Sequence, residues 1–153
     1  METRFYHLQR SSLDDVLPKL LLLCVKRGWR AVVRGENQDR VDMLDKHLWA
    51  FDEKNFLPHG AGYDGSEKAQ PVFLSHQDDN PNDANVLFLL DGMDSENLDG
   101  FELVCRLFDG NDDNKVAQAR THWKTQKDLG HWLTYWQQNE GGGWIKKAEQ
   151  EAA

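Results

Sequence analysis

Cysteine and positive charge are both scarce in this chain, and each shortage excludes something. Two cysteines in 153 residues cannot form a disulfide framework. Both sit in apolar company, Cys24 within residues 20–25 and Cys105 just after Leu103 and Val104. They read as small buried residues of a protein kept in a reducing, cytoplasmic compartment. Lys and Arg total 18 against 26 Asp and Glu, a formal net charge of −8. That balance is wrong for broad contact with a nucleic-acid backbone, which needs many phosphate-neutralising cations. Any work near DNA would therefore run mainly through another protein. Long apolar runs are missing too. The longest, residues 20–25, is far short of the ~20 residues that span a bilayer. No membrane span is expected, and residues 1–10 lack the apolar core of a signal peptide.

The usual chemical signatures are also absent. Six histidines, His7, His47, His59, His76, His122 and His131, are scattered. None pairs with another His or a Cys at metal-ligand spacing, so no metal is assigned. His59, after Pro58, reads either as a ligand or base or as a residue that orders its loop by a hydrogen bond. There is no Walker loop and no Gly-x-Ser-x-Gly. Residues 60–65, Gly-Ala-Gly-Tyr-Asp-Gly, spell the dinucleotide fingerprint. That fingerprint must follow a strand and open a helix. Here it follows Leu57-Pro58-His59 and meets Pro71 six residues later, so it reads as a turn. No cofactor and no catalytic residue is assigned.

What is present is an α/β pattern in one domain, residues 1–153. Residues 4–8 read as a first strand. Ser11 or Ser12 caps a helix that carries Pro18 near its first turn and stops at Gly28. Residues 29–34 read as a second strand, and Asn37 or a neighbour caps a second helix through Val41, Leu44 and Leu48. Further strands are expected at 71–75, 86–90 and 101–108. Residues 86–90, Val-Leu-Phe-Leu-Leu, have the continuous apolarity of a central strand buried on both faces. Asp112 and Asp113 open a helix that runs to Leu129, and a last helical piece is expected over 131–138.

Two clusters stand out. Leu48, Trp49, Phe51, Phe56 and Leu57 gather aromatics at a helix end and in the loop beyond. They read either as a capping mini-core or as an aromatic binding spot. On the 112–129 helix, Arg120, Lys124 and Lys127 recur at helical spacing, with Lys115 near the start, beside a stripe of Val116, Ala119 and Trp123. One reading is an ordinary amphipathic helix. The other is a dock for an acidic, aromatic peptide. There Arg120 grips a carboxylate bidentately and Trp123 walls an apolar slot.

These residues, taken in order, resemble the chi subunit of bacterial DNA polymerase III. The likeness is carried by Phe5-Tyr6, by Leu48-Trp49 with Phe56-Leu57-Pro58-His59, and by Ala119-Arg120-x-x-Trp123-Lys124 followed by Gly130. It covers nearly the whole chain. The resemblance implies a three-layer α/β/α Rossmann-like domain with a mainly parallel sheet of about five strands. It implies a non-catalytic, clamp-loader-associated role in which the protein binds the acidic C-terminal tail of single-stranded-DNA-binding protein. Arg120 would pair with the terminal carboxylate, Trp123 would line the pocket and Lys124 would attract the tail's aspartates, with Lys127 and Lys115 in support. Trp49 and Phe56 would face a psi subunit or equivalent component, a surface that some members also offer to a helicase. Two departures stand: Val116 replaces a lysine four residues before the arginine, and the stretch after Gly130 adds Trp132, Tyr135, Trp136 and Trp144. The rival class is a small-molecule or nucleotide-binding enzyme on a Rossmann-like sheet, its pocket at the carboxyl ends of the strands.

Overall fold

Val86–Leu90 is apolar at every position because the sheet it belongs to is covered on both faces. A computed structural model describes residues 2–9, 11–50, 60–61, 71–77, 80, 82–90, 92–94, 98, 100–141 and 143–151, without the side chains of 49, 60 and 61. In it, residues 86–90 are at most 1% exposed. The elements in chain order are β1 (Glu2–Leu8), α1 (Leu13–Lys26), β2 (Ala31–Arg34), α2 (Gln38–Ala50), β3 (Gly60–Ala61), β4 (Val72–Ser75), β5 (Val86–Leu90), β6 (Leu103–Asp109), α3 (Asp113–Asp128), β7 (Trp132–Gln138) and β8 (Trp144–Gln150). Among the described residues eight strands form one sheet in the order β3-β4-β2-β5-β6-β1-β7-β8. Every pairing is parallel except the last, β7 with β8.

All five expected strands are present, and three more join them. The helical piece expected over 131–138 is instead β7, which pairs with β1 from Glu2↔Trp132 to His7↔Gln137. Its aromatic and branched residues explain the outcome: Trp, Leu, Thr, Tyr and Trp suit a pleated, half-buried surface. The added aromatics split by face. Trp136 and Trp144 pack on one core cluster, with Trp144 edge-on to Tyr6 at 5.0 Å, while Tyr135 joins the other face. Trp132 stays 40% exposed and donates its indole N–H to Glu149 at 2.8 Å.

Consecutive strand residues point to opposite faces, and the helices divide accordingly. Leu17, Leu21, Val41, Leu44 and Leu48 of α1 and α2 meet Tyr6, Leu8, Val33, Phe88 and Leu107. On the other face, Phe5, Phe108 and Leu133 meet Val116, Ala119 and Trp123 of α3. Cys24 and Cys105 are buried and unbridged. Burial pushes the Cys24 thiol up to about 11 and the Cys105 thiol higher still, so neither is a ready thiolate.

Side chains close the helix starts. Ser12 Oγ accepts from Asp15 N at 3.2 Å, Asn37 Oδ1 from Arg40 N at 2.9 Å, and Asp112 Oδ1 from Asn114 N at 3.0 Å. Gly28 and Gly130 follow α1 and α3 with φ of 76° and 81°, the left-handed turn that glycine takes without a Cβ penalty. Pro18 lies beyond the first turn expected for it, as the sixth residue of α1. Its missing N–H leaves the Asp14 carbonyl without the usual donor. His47 of α2 supplies one, its Nε2 lying 2.5 Å from that oxygen. Arg40 adds a 3.1 Å ion pair to the Asp14 carboxylate. We expect His47→Ala to lower stability by about 0.5–1.5 kcal/mol, the net worth of one part-buried hydrogen bond. The loss should shrink when Pro18→Ala restores a backbone donor, and urea denaturation of the two single variants and the double variant measures both.

Candidate functional site

The pattern of α3 decides which of its residues can act together. Ala119 and Gln126 are buried, and Val116 and Trp123 partly so. Arg120, Lys124 and Lys127 are exposed, and none has a hydrogen bond or ion pair to another described residue. They line one flank of the helix beside Trp123. Lys115 does not join them. At about 100° per residue it stands roughly 140° around the helix from Arg120. Its Nζ lies beside Gly92 and Gln118, and it lines a small recess with His122 and Arg106. The expected set is thus brought together except for Lys115.

A cluster of rings lies beside Arg120. The Trp123 centroid is 5.3 Å from Phe5 and 6.0 Å from Tyr135. Tyr135 is 6.1 Å from Phe108 and 5.8 Å from His7, and His7 is 5.4 Å from Phe108. The Tyr135 hydroxyl oxygen lies 2.6 Å from His7 Nδ1. The Arg120 charge acts on both members of that pair. Burial lowers the His7 pKa; the Gly110 carbonyl opposes this, the Arg120 guanidinium adds to the lowering, and Asp109 opposes it. Burial raises the Tyr135 pKa, and Arg120 offsets part of the rise. Neither His7 nor Tyr135 belongs to the expected set. They reach Arg120 only through the parallel pairing of β1 with β7, which the helical reading of 131–138 concealed. The alternation of Leu133 and Tyr135 against Trp132, Thr134 and Trp136 was the available signal.

The opposite flank of α3 holds a different cluster. Arg106 of β6 is 4% exposed. Its Nη2 donates to Asp94 Oδ1 at 2.8 Å and its Nη1 to Met93 O at 3.2 Å. His122 Nδ1 lies 3.5 Å from Asp94 Oδ2, but burial, with Arg106 nearby, lowers its pKa, so the imidazole is neutral at neutral pH.

The second expected surface is only partly visible. Trp49 lies in α2 but its side chain is outside the described residues, as is all of 51–59, including Phe56 and His59. Residues 60–61 are β3, paired with β4, and 62–65 fall outside the description.

A cavity of about 440 Å³ opens at the carboxyl ends of β1 and β6, lined by Gln9, Ser11, Ser12, Asp14, Arg40 and Asp109 among others. Here the chain leaves β1 through α1 for one face and β6 through α3 for the other, the crossing point where ligands bind in open α/β sheets. Among the described helices, none is long and apolar enough to cross a membrane.

Residues 1–134 match the family model described as DNA polymerase III chi subunit, HolC. The chain is also similar to the probable DNA polymerase III subunit chi of Rickettsia prowazekii (strain Madrid E). The two are 28% identical over 89 residues, 58% of this chain and 54% of that protein. That match thus spans about half the length of the curated relative.

Proposed function

The chain belongs to the chi-subunit family of DNA polymerase III, and from that premise we propose that it is a non-catalytic accessory subunit that binds the acidic C-terminal tail of single-stranded-DNA-binding protein and ties it to the replication machinery. The site is Arg120, Trp123, Lys124 and Lys127. The single observation that carries this is Arg120 itself. Among the described residues it is an exposed guanidinium with no internal partner, set beside a half-buried indole. A guanidinium offers two parallel N–H donors that match a terminal carboxylate. Trp123 offers a face for an aromatic side chain, and Lys124 and Lys127 draw in the tail's acidic residues. Lys115, on the far flank, is left out of the contact.

The other end of the link is a psi subunit or equivalent clamp-loader component on the Trp49 and Phe56 side, a surface open to a helicase in some members. DNA is reached through the coated strand, in the cytoplasm. Two modest contacts on one rigid domain, of the three-layer Rossmann-like kind, raise the effective concentration of each partner without tight individual binding. The alternative, a small-molecule or nucleotide-binding enzyme, has the cavity at the carboxyl ends of β1 and β6 in its favour. Against it, the β1–α1 turn carries Gln9, Arg10, Ser11 and Ser12, where a dinucleotide loop needs glycines.

The test is titration with a labelled acidic peptide ending in Asp-Phe and a free carboxylate. Arg120→Ala should weaken binding by roughly tenfold or more, the worth of a charge-assisted hydrogen-bonded contact, and added salt should weaken the wild-type contact as well. Equal affinities for wild type and variant would overturn the proposal.

A further inference from the structure

We propose that His7 and Tyr135 form a switchable part of the carboxylate site at Arg120: with His7 protonated, the Tyr135 hydroxyl is released to donate its hydrogen to the bound carboxylate. This rests on the peptide-binding reading above, and it adds two residues and a regulation that the reading does not contain.

One hydrogen lies between Tyr135 Oη and His7 Nδ1, which are 2.6 Å apart. In the neutral tautomer that carries its hydrogen on Nε2, Nδ1 is the acceptor and the tyrosine donates to it, so the hydroxyl hydrogen is occupied; the Gln9 amide, 3.3 Å from Nε2, then turns its oxygen to that hydrogen. In the imidazolium both ring nitrogens carry hydrogens. Nδ1–H then donates to Tyr135 Oη, and the hydroxyl hydrogen must point elsewhere. Protonation thus turns Tyr135 from an outward acceptor, which repels a carboxylate, into an outward donor.

The pair is held in place. The phenol ring is stacked on Phe5 at 6.3 Å and flanked by Trp123 and Phe108. The imidazole lies against Gly110, where a Cβ would collide with it. The charged and titratable groups that face His7 come from three elements. Arg120 of α3 disfavours the imidazolium, Asp109 of β6 favours it, and Tyr135 of β7 shares the proton. A carboxylate seated on Arg120 neutralises the charge that opposes protonation of His7. By linkage, a protonated His7 must then raise affinity for that carboxylate by the same factor.

The sign follows from the direction of the His7 shift. Its pKa in the free protein lies below the ordinary imidazole value, so affinity should be flat above about pH 7 and rise as pH falls from there. The aspartates of the peptide titrate near pH 4, outside this window. The experiment is titration of the Asp-Phe peptide between pH 7.5 and 5.5. Wild type should gain roughly fivefold or more in affinity over that range, a typical coupling. His7→Gln and Tyr135→Phe should bind with little pH dependence yet still lose binding when Arg120→Ala is added. His122→Gln, changed on the other flank of α3, should keep the wild-type slope. An unchanged slope in His7→Gln overturns the switch and leaves the peptide site standing. No peptide binding by wild type at any pH removes the peptide site and the switch with it. In the wild-type protein, the imidazole resonances of His7 followed by NMR should titrate at higher pH with peptide bound than without it, and an unmoved midpoint overturns the switch even where a variant fails to fold.

Discussion

Phe5→Ala is expected to destabilise the protein by about 3–5 kcal/mol, the usual range for a buried aromatic. Phe5 is wholly buried in β1, between β6 and β7. Its ring meets Trp123 at 5.3 Å and Tyr135 at 6.3 Å, and the Arg106 guanidinium stands 5.8 Å from its centroid. Few neighbours can collapse into the space, because the parallel sheet fixes the backbone on both sides. The variant should therefore show two effects together, a lower urea midpoint and weaker peptide binding, since Trp123 and Tyr135 lose the surface against which they are set. A Phe5→Leu variant should recover much of the stability. If Phe5→Ala lost stability but bound peptide normally, the ring cluster would not support the site.

Asp94 and Arg106 should respond unequally to removal. Asp94→Ala takes the carboxylate from a guanidinium that is 4% exposed. Stranding a buried charge costs about 3–5 kcal/mol. The Asp94 side chain is 55% exposed, so water can replace part of what is lost, and roughly 2–3 kcal/mol is expected. Arg106→Met removes the charge and fills much of the same volume, so its effect should be near neutral. Chemical denaturation of the two variants separates the cases. Equal losses from both would mean that the pair is itself a net stabiliser. The same cluster makes stability depend on pH. His122 titrates lower in the folded chain than an ordinary imidazole, so the unfolded chain takes up its proton first. Stability should be full above about pH 6.5 and decline as pH falls below it.

Much of this fold was legible in short-range pattern. Val86–Leu90 announced a doubly covered strand, and Ser12, Asn37, Asp112, Gly28 and Gly130 marked helix ends, because each of those signals acts within a few residues. The misreadings share a cause. Residues 131–138 follow the glycine that ends α3 and read as one more helical piece, although Trp132, Thr134, Tyr135 and Trp136 favour a strand. What decides their state is the open edge of β1, supplied by residues more than a hundred positions earlier. The His7–Tyr135 contact was hidden for the same reason, since it spans 128 positions. Lys115 is a different case. Counting five residues to Arg120 would have placed it on another flank, and charge alone put it in the group. Of the candidate site, Arg120, Trp123, Lys124 and Lys127 were legible because helical spacing needs no knowledge of the sheet.

The position of β1 sets a timetable for the ribosome. Its two neighbours begin at Leu103 and Trp132, while β1 itself begins at Glu2. At 5–20 residues per second, β1 waits roughly 5–20 s for a first partner. Over that interval β2, β4 and β5 can already pair among themselves, leaving Phe5 and Tyr6 unsheltered on the nascent chain. The closing act of folding is therefore the capture of the earliest strand by the latest ones, and the proposed peptide site, which draws on β1, β7 and α3, would form only once that capture is done.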